Sequence, residues 1–412
     1  MKSKIVVAFC MDLIGHFHRL IPVISNLAKK KYIIYFFSHS RFQREIEEAG
    51  GIFVNLLTRY PLQEADQESI PLGCRFVTYT GKYIKPILEE VKALDPCLVI
   101  YDSFAVIGFT VARVLDLPFI NICAGHNINS GNIKKRIQYH PFIKISKECH
   151  NAVITLREIY GIESSNPFLY ACSVSPYLNI YSEPPLFLDK KERKHYEPLA
   201  FFGCIDVDQQ NSQYKEGSGL DFTSKQSKNP IKIYVSFGTI IWIYFAEEAA
   251  NVLQVISEFF SREKNTEVII SLGGHKTSKK LMQSLRKQNI NVNSYVDQWK
   301  VLQGADLFIT HHGLNSTHEA IFNGVPMMSY PFFWDQPALA AKCQNLGIAI
   351  PLVSHTRKPI TNNDVKCCFE NFLIQRKKLL KNIRIASDCE KQTMNNRAMV
   401  IKQIEDIIKK NN

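Results

Sequence analysis

Residues 306–322 read DLFITHHGLNSTHEAIF, a pattern that is typical of one kind of fold. Residues 306–310 form a short apolar run, which is typical of a buried strand in a parallel sheet. Gly313 then permits a tight turn, and the residues after it favour a helix that Asn315 or Ser316 can cap. A strand followed by a glycine turn and a helix is half of a βαβ unit, whose parallel strands are joined by right-handed crossovers.

Strand and helix patterns alternate along most of the chain on either side of this stretch. In the N-terminal part, we predict strands at residues 5–10, 32–37, 97–101 and 118–122 and helices at 17–30, 41–49 and 105–115. In the C-terminal part, we predict strands at 231–236, 267–272, 306–310 and 325–329 and helices at 247–260, 281–288 and 316–322. This order predicts an α/β protein with two doubly wound, Rossmann-like domains that face each other across a cleft.

A shift in composition separates the two domains. Residues 206–229 are rich in Gln, Ser, Asn, Lys and Gly and hold few large apolar residues, as a linker does. We therefore predict an N-terminal domain over 1–205, a linker over 206–230, a second domain over 231–390, and a C-terminal helix over 391–412 that packs back on the first domain. In open α/β sheets, ligands bind beyond the carboxyl ends of the strands, where the strand order reverses. Side chains at strand ends are therefore the first candidates for a site.

The composition is that of a globular protein in a reducing compartment. The chain has 412 residues, of which 46% are hydrophobic and 21% charged, and this excludes a fibrous or disordered class. Its 11 cysteines form no CxxC pair, so we expect reduced thiols and no metal site. We see no signal peptide and no apolar run of 18 residues, and we expect a cytoplasmic protein without a transmembrane helix.

The chain carries a formal net charge of +12. Its lysines and arginines cluster at residues 29–31, 134–136, 190–194, 276–280 and 376–381. Such clusters are typical of solvated helix faces, and they would also attract an anionic membrane surface or an anionic substrate. No basic motif is interleaved with aromatic residues, so we do not expect a nucleic-acid partner.

The helix start after Gly313 has the chemistry of a diphosphate site. The free amides and the positive end of a helix attract an anion, and His311, Asn315 and Ser316 can add side-chain donors. Glu319 lies one turn into this helix, where a carboxylate could accept hydrogen bonds from both hydroxyls of a ribose. The same pattern also fits a plain structural helix cap, and spacing alone leaves both interpretations open.

Residues 291–350 resemble the nucleotide-sugar signature of the glycosyltransferase family that contains UDP-glucuronosyltransferases, plant glucosyltransferases and bacterial macrolide glycosyltransferases. That pattern is an aromatic-x-P-Q segment, a strand ending in T-H-x-G-x-N-S-x-x-E, then G-V-P, then D-Q. The chain has matching segments in the same order: Tyr295-Val296-Asp297-Gln298, Thr310 to Glu319, Gly324-Val325-Pro326 and Trp334-Asp335-Gln336. The run Val235-Ser236-Phe237-Gly238-Thr239 also resembles the strand and turn that open the family's second domain.

The resemblance implies the two-domain GT-B fold and a role for each matching residue. Tyr295 would stack on uracil, and Gln298 would hold the edge of the base. Glu319 would bind the ribose, and Asp335 with Gln336 would bind hydroxyls of the donor sugar. The remaining donor-binding positions are Ser236, Gly238, Thr239, His311, Gly313, Asn315 and Ser316, and the helix end together with His311 would neutralise the diphosphate. Two positions differ from the family: Asp297 replaces a proline, and His312 has no assigned role.

Gly15-His16-Phe17-His18 follows the first predicted strand and is similar to the family's G-H-x-x-P segment, whose histidine is the catalytic base. A histidine can take the proton of an acceptor hydroxyl, and a carboxylate beside it would orient the ring. The resemblance assigns the base to His16 and its partner to Asp102. Arg19 stands where the family has proline, so His18 remains the alternative base, and a chain without a catalytic histidine remains open.

These residues predict an inverting transferase that moves a hexose from a UDP-sugar to a hydroxyl of a small, apolar acceptor, without metal or cofactor. The acceptor would bind in loops at about 58–80 and 125–147, which hold Tyr60, Phe76, Tyr79, Tyr139 and Phe142. These aromatic residues could equally form a packed cluster. The alternatives are a peripheral membrane transferase acting on a lipid or sterol, and a non-catalytic nucleotide-sugar-binding protein. A nucleotide-sugar epimerase is disfavoured by Asp335-Gln336 and by the pattern from Thr310 to Glu319.

Overall fold

The structure is a computed structural model that describes residues 4–411 except 124, 139, 141, 165, 204, 206–221, 223–228 and 275–278. The chain divides into two compact units, of which unit 1 comprises Met1–Cys204 with Thr393–Asn412 and unit 2 comprises Ile205–Gln392. Most of the predicted linker at 206–230 lies outside the described residues. Each unit is built on one parallel sheet, and the predicted fold of two doubly wound α/β domains is confirmed.

The strands alternate with helices along the chain. The strands are β1 (Ile5–Phe9), β2 (Ile33–Ser38), β3 (Ile52–Asn55), β4 (Leu98–Asp102), β5 (Phe119–Cys123), β6 (Leu178–Tyr181), β7 (Leu199–Phe201), β8 (Ile231–Ser236), β9 (Thr266–Ser271), β10 (Ile290–Asn293), β11 (Leu307–Thr310), β12 (Met327–Ser329) and β13 (Ala349–Pro351). The sheet of unit 1 has the order β3-β2-β1-β4-β5-β6-β7, and that of unit 2 has the order β10-β9-β8-β11-β12-β13. All neighbouring strands pair in parallel.

The described helices are α1 (Ile14–Lys29), α2 (Gln43–Glu48), α3 (Leu72–Leu94), α4 (Val106–Val114), α5 (Ile133–Gln138), α6 (Lys147–Glu158), α7 (Lys190–Arg193), α8 (Ile241–Tyr244), α9 (Ala246–Arg262), α10 (Lys279–Leu285), α11 (Gln298–Gly304), α12 (Leu314–Phe322), α13 (Gln336–Asn345), α14 (Asn362–Asn395) and α15 (Arg397–Asn411). Short 3₁₀ turns supplement them, including Pro167–Cys172. Because parallel strands need crossover connections, most of these helices link one strand to the next.

Both faces of the unit 1 sheet are covered, which explains why its central strands are continuous apolar runs. In β1, Val6 and Ala8 pack into the core that includes residues of α1 and α15. Val7 and Phe9 point to the opposite face and pack with residues of α3 and α4. The C-terminal helix α15 belongs to unit 1 because its apolar stripe lies in this core, through Val400, Ile401, Ile404 and Ile408.

The prediction of an acceptor loop at about 58–80 is wrong for its second part. Residues 72–80 belong to α3, and Phe76 and Tyr79 are buried in the core of unit 1. Tyr60 packs partly buried against the same core. The other predicted loop, 125–147, contains the helix α5, and within it Phe142 is exposed while Tyr139 lies outside the described residues. The packed-cluster interpretation therefore holds for Phe76 and Tyr79.

Candidate active site

The strand order of the first sheet reverses between β1 and β4, and two predicted catalytic residues meet there. Phe9 near the end of β1 pairs with Tyr101 of β4. The next residue of β4 is Asp102, and α1 carries His16 in its first turn. The connection after β1 and the end of β4 thus bring residues from distant parts of the chain to one edge of the sheet.

His16 and Asp102 form a hydrogen-bonded pair. The imidazole Nδ1 lies 2.8 Å from Oδ1 of Asp102, whose side chain is buried while that of His16 is partly exposed. Because a carboxylate accepts hydrogen bonds, Nδ1 carries the proton and donates it, which leaves the lone pair of Nε2 free to accept another proton. Asp102 Oδ1 also accepts a hydrogen bond from the Phe104 amide at 2.8 Å, and the Phe104 ring lies 4.7 Å from the imidazole centroid. The pair is therefore oriented as a histidine base with a carboxylate partner.

The alternative base, His18, faces a different group. Its Nε2 lies 3.5 Å from Oε2 of Glu45 in α2. Arg19, which replaces the family's proline, is buried within α1, and the helix runs without interruption from Ile14 to Lys29. The arginine is thus accommodated without separating His16 from Asp102.

The strand order of the second sheet reverses between β8 and β11, and the predicted donor residues lie at the ends of these strands. Ser236 pairs with Thr310 in the last register position. The turn after β8 places Gly238 against His311, and a Cβ on Gly238 would lie 2.8 Å from Cε1 of that ring. A Cβ on Gly313 would lie 2.4 Å from Nε2 of the same ring. Only glycines allow this contact, and Gly238 also has a positive φ of +69°.

The helix after β11 begins at Leu314, with Gly313 as its N-cap and no side-chain cap. The predicted cap by Asn315 or Ser316 is wrong, because both residues lie inside the first turn of α12. The first amides of a helix have no intrahelical acceptor, so they can bind an anion that sits on the helix end. The helix has nine residues, enough for a dipole that favours negative charge at this end.

The two adjacent histidines are neutral in the unliganded protein. Burial lowers the pKa of His311 to about 4 and that of His312 to about 3. His312 lies between two hydroxyls, with Nε2 at 2.6 Å from Ser329 Oγ and Nδ1 at 3.2 Å from Thr317 Oγ1. Both of its ring nitrogens are therefore engaged by side chains of the protein itself. In the unliganded protein, His311 therefore offers a neutral ring nitrogen, and the end of α12 supplies positive potential. The contact of His311 with a diphosphate stays a prediction.

The segment before α11 presents the predicted base-binding residues. Tyr295 is 53% exposed, so it is not the core aromatic that its isolated position would also allow. Asp297 accepts a hydrogen bond from the Lys300 amide at 3.2 Å and is the N-cap of α11. The aspartate that replaces the family's proline therefore starts the helix by a side-chain cap.

Gln298 connects the base-binding segment with α12. Its Nε2 donates to Oε2 of Glu319 at 2.8 Å and to Oγ of Ser316 at 3.2 Å. Its Oε1 accepts a hydrogen bond from the Tyr234 hydroxyl at 3.4 Å. Sequence reasoning missed Tyr234, although its inward position on β8, two residues before Ser236, was readable from strand alternation. These four side chains form one polar network at the edge of the sheet.

The sugar-binding candidates lie around the start of α13. Asp335 is the N-cap residue of that helix and is partly buried. Gln336 is buried, and its Oε1 accepts hydrogen bonds from the amides of Phe332 at 2.9 Å and Phe333 at 3.3 Å. Its carbonyl oxygen therefore stabilises its own loop, and only the amide nitrogen is left for a ligand. Thr239, in the turn after β8, is exposed.

The described part of the chain contains neither a cluster of metal ligands nor a membrane-spanning helix. Within it, no three His, Cys, Asp or Glu side chains are grouped so as to hold a metal ion. No helix among the described residues is both long and apolar enough to cross a membrane. The cytoplasmic location and the attraction to a membrane surface stay predictions.

Comparison with known proteins finds relatives of this chain among sugar-transferring enzymes. The family model described as "UDP-glucoronosyl and UDP-glucosyl transferase" matches residues 205–395. The uncharacterized UDP-glucosyltransferase YdhE of Bacillus subtilis (strain 168) is 26% identical over 357 residues, which are 84% of this chain and 84% of that protein. The NDP-glycosyltransferase YjiC of the same strain is 25% identical over 347 residues, 82% of each chain.

A solved structure shares the fold over almost the whole length. The structure of the glycotransferase of kitacinnamycin has a TM-score of 0.74 to this chain at 17% identity, and the match covers 98% of this chain and 99% of that one. At this identity the likeness concerns the fold alone. The family model, by contrast, matches a range close to that of unit 2, and the two relatives align over 84% and 82% of this chain.

Proposed function

The chain belongs to the UDP-glycosyltransferase family and has its GT-B fold, and on this premise we propose that it moves a hexose from a UDP-sugar to a hydroxyl of a small acceptor with inversion at the anomeric carbon. Unit 1 supplies the base, and unit 2 binds the donor. Transfer in this proposal needs no metal and no cofactor.

One observation carries the proposal: in both units, the predicted residues meet where the strand order of the sheet reverses. His16 and Asp102 meet at this point in the first sheet. Gly238 and His311 meet at this point in the second sheet, next to the first turn of α12. This is the place where open parallel sheets bind ligands.

The proposed reaction is a direct displacement. The acceptor hydroxyl gives its proton to Nε2 of His16, and its oxygen forms a bond to the anomeric carbon. The bond between that carbon and the β-phosphate oxygen breaks, and UDP leaves with the electron pair. Asp102 holds Nδ1–H and stabilises the imidazolium that forms. The end of α12 stabilises the growing negative charge of the diphosphate.

The donor is held by the network around Gln298. We propose that Tyr295 stacks on the uracil and that Gln298 binds its edge, while Glu319 accepts hydrogen bonds from the ribose hydroxyls. Gln298 already donates to Glu319 in the unliganded protein, so both side chains are held at the site before the ligand arrives. Asp335 and the amide nitrogen of Gln336 bind the sugar.

Replacing Glu319 by alanine is expected to weaken UDP binding by about 10- to 100-fold. A hydrogen bond to a charged group contributes about 1.5–3 kcal/mol, which corresponds to roughly this factor in Kd. The measurement is calorimetric titration with UDP, dTDP and GDP, with UDP expected to bind best.

Glu258→Ala is the matched control for this experiment. Glu258 is an exposed carboxylate of the same unit that forms an ion pair with Arg262 on the surface of α9. Its removal changes the net charge equally, and we expect it to leave UDP binding unchanged. A Glu319→Ala protein that binds UDP as tightly as the unchanged protein contradicts the ribose assignment. Failure of all three nucleotides to bind would contradict the donor site as a whole.

A methyl group at Gly238 is expected to weaken UDP binding about tenfold by displacing the His311 ring. A Cβ there would lie 2.8 Å from the ring, which is closer than van der Waals contact allows. Gly324→Ala is the control: Gly324 has nearly the same φ, +72° against +69°, but no atom lies within 4 Å of its added Cβ. Both variants introduce left-handed backbone strain of about 1–2 kcal/mol, which lowers the stability measured by thermal unfolding. Only Gly238→Ala should also change the Kd for UDP. Equal Kd values in the two variants would remove Gly238 from the donor site.

A further inference from the structure

One side of the long helix α14 is basic and exposed. From Leu373 to Ile385 the sequence reads LIQRKKLLKNIRI, which contains five lysines and arginines and no carboxylate. At 3.6 residues per turn, the exposed side chains of this segment fall within about 140° of the helix circumference. They are three aliphatic and four cationic residues, which we call the basic stripe: Leu373, Ile374, Lys377, Lys378, Lys381, Arg384 and Ile385.

The opposite side of α14 is fixed to unit 2. The side chains of Phe372, Leu379 and Ile383 are buried there. The hydroxyl of Ser387 donates to the carbonyl of Phe322, the last residue of α12, at 2.9 Å. Because these contacts set the rotation of the helix about its axis, the basic stripe is held on the outside of the unit.

The cations of the basic stripe lack acidic partners within the described part of the chain. Arg376, which lies beside the stripe, forms an ion pair with Asp306, but the four cations of the stripe form none with any described residue. The exposed carboxylates of α14, Glu370 and Asp388, lie beyond the two ends of the stripe. The four cations are spaced three or four positions apart in part, where like charges repel one another on a helix. An anionic partner would relieve this repulsion.

The aliphatic members of the stripe indicate what kind of partner it fits. Ile374 is 83% exposed, Ile385 58% and Leu373 43%. The two isoleucines are eleven positions apart, which is three turns, so they lie about 16 Å apart on nearly the same line. Aliphatic side chains among lysines suit the boundary of a membrane, where the cations attract anionic headgroups and the apolar groups enter the headgroup layer. Single-stranded nucleic acid would instead favour aromatic residues among the cations, and the stripe has none.

We propose that the basic stripe binds the surface of a membrane that contains anionic phospholipids. The four cations would contact the headgroups, and Ile374 and Ile385 would enter the boundary between headgroups and acyl chains. Each lysine or arginine near such a surface strengthens binding about fivefold, and salt weakens this attraction. Attachment of this kind is peripheral and reversible. The inference goes beyond the proposed sugar transfer and does not depend on it.

The test is co-sedimentation of the full chain with lipid vesicles. One set consists of phosphatidylcholine, and the other is an equal mixture of phosphatidylcholine and phosphatidylserine. We expect binding to the mixed vesicles alone, and a decrease as salt is added. Lys378→Gln/Lys381→Gln should lower the partition coefficient about 25-fold, at about fivefold for each cation. Ile374→Ser should lower it about fivefold, and this loss should persist at high salt because it comes from apolar burial.

Two control variants remove the same groups elsewhere. Lys279→Gln/Lys280→Gln takes two exposed lysines from α10 of the same unit, and Ile159→Ser replaces an isoleucine of unit 1 that is 69% exposed. At about 0.1 M salt, charges more than about 10 Å from the lipid are largely screened, so the lysine control should change binding by less than about twofold. All substituted side chains are exposed, and we expect unchanged thermal midpoints as evidence that every variant folds.

Three results would overturn the proposal. The first is failure of the unchanged chain to bind the mixed vesicles. The second is an equal loss of binding in the two double lysine variants, because that result marks attraction by the net charge of the whole chain. The third is vesicle binding that Ile374→Ser leaves intact, together with binding of a single-stranded oligonucleotide that needs Lys378 and Lys381, which would assign the stripe to nucleic acid. None of these measurements uses a nucleotide sugar, so they leave the transferase proposal to its own tests.

Discussion

Replacing His16 by alanine is expected to lower kcat/KM for sugar transfer by about 10³-fold while the Kd for UDP stays unchanged. A positioned general base contributes about 10²- to 10⁴-fold to a rate, and His16 is the residue that Asp102 orients at 2.8 Å. The proposed donor-binding residues all belong to unit 2, whereas His16 belongs to unit 1. The measurement is initial-rate kinetics with a UDP-sugar and an active acceptor, together with calorimetry of UDP binding.

His18→Ala is the matched control for the base. His18 lies on the same helix, only two residues away, but contacts Glu45. We expect its removal to change the transfer rate by less than about threefold, in line with the small effects of surface substitutions. Turnover that survives in His16→Ala and is lost in His18→Ala would move the base to His18. Turnover that survives in both variants would leave the reaction without a histidine base.

Glu390→Ala is expected to destabilise unit 2 by about 3–5 kcal/mol, the usual effect of removing one partner from a buried ion pair. His318 in α12 is hydrogen-bonded through Nδ1 to Oε1 of Glu390 in α14, and both side chains are fully buried. The remaining histidine would keep a buried polar ring without its partner. For a domain of this size, we expect the thermal midpoint to fall by roughly 6 to 20 °C.

A double variant tests whether the loss comes from the broken pair. In His318→Leu/Glu390→Leu, both members of the pair are replaced together, and replacing a buried pair by apolar residues is often neutral or stabilising. The double variant should therefore regain most of the midpoint that Glu390→Ala loses. A single variant that unfolds at the same temperature as the unchanged protein would show that the pair does not hold α12 against α14. The comparison bears on the donor site because α12 also carries Ser316 and Glu319.

Most of the architecture was predictable from local patterns. The predicted strand at 231–236 coincides with β8, and the central strands β1, β4 and β11 begin or end within one residue of their predicted positions. Prediction missed α3, because Pro86 and two glycines interrupt its helical pattern. It also missed short strands such as β10, in which asparagines alternate with two apolar residues. Edge strands of this length carry too few residues for a period to stand out.

By itself, the sequence determined the order of strands and helices, the position of the donor motif at a strand end, and the family to which that motif points. Only the tertiary structure decided which residues pair and which are buried. Glu390 lies 72 positions from His318, and neither a local pattern nor the family resemblance matched them. His16 and Asp102, 86 positions apart, were named by the family resemblance, and the structure added their contact. Burial decided that His311 is neutral in the unliganded protein and that Phe76 and Tyr79 belong to the core. The physical reason is that hydrophobic periodicity describes one element at a time, whereas desolvation and hydrogen bonding depend on every element packed around a side chain.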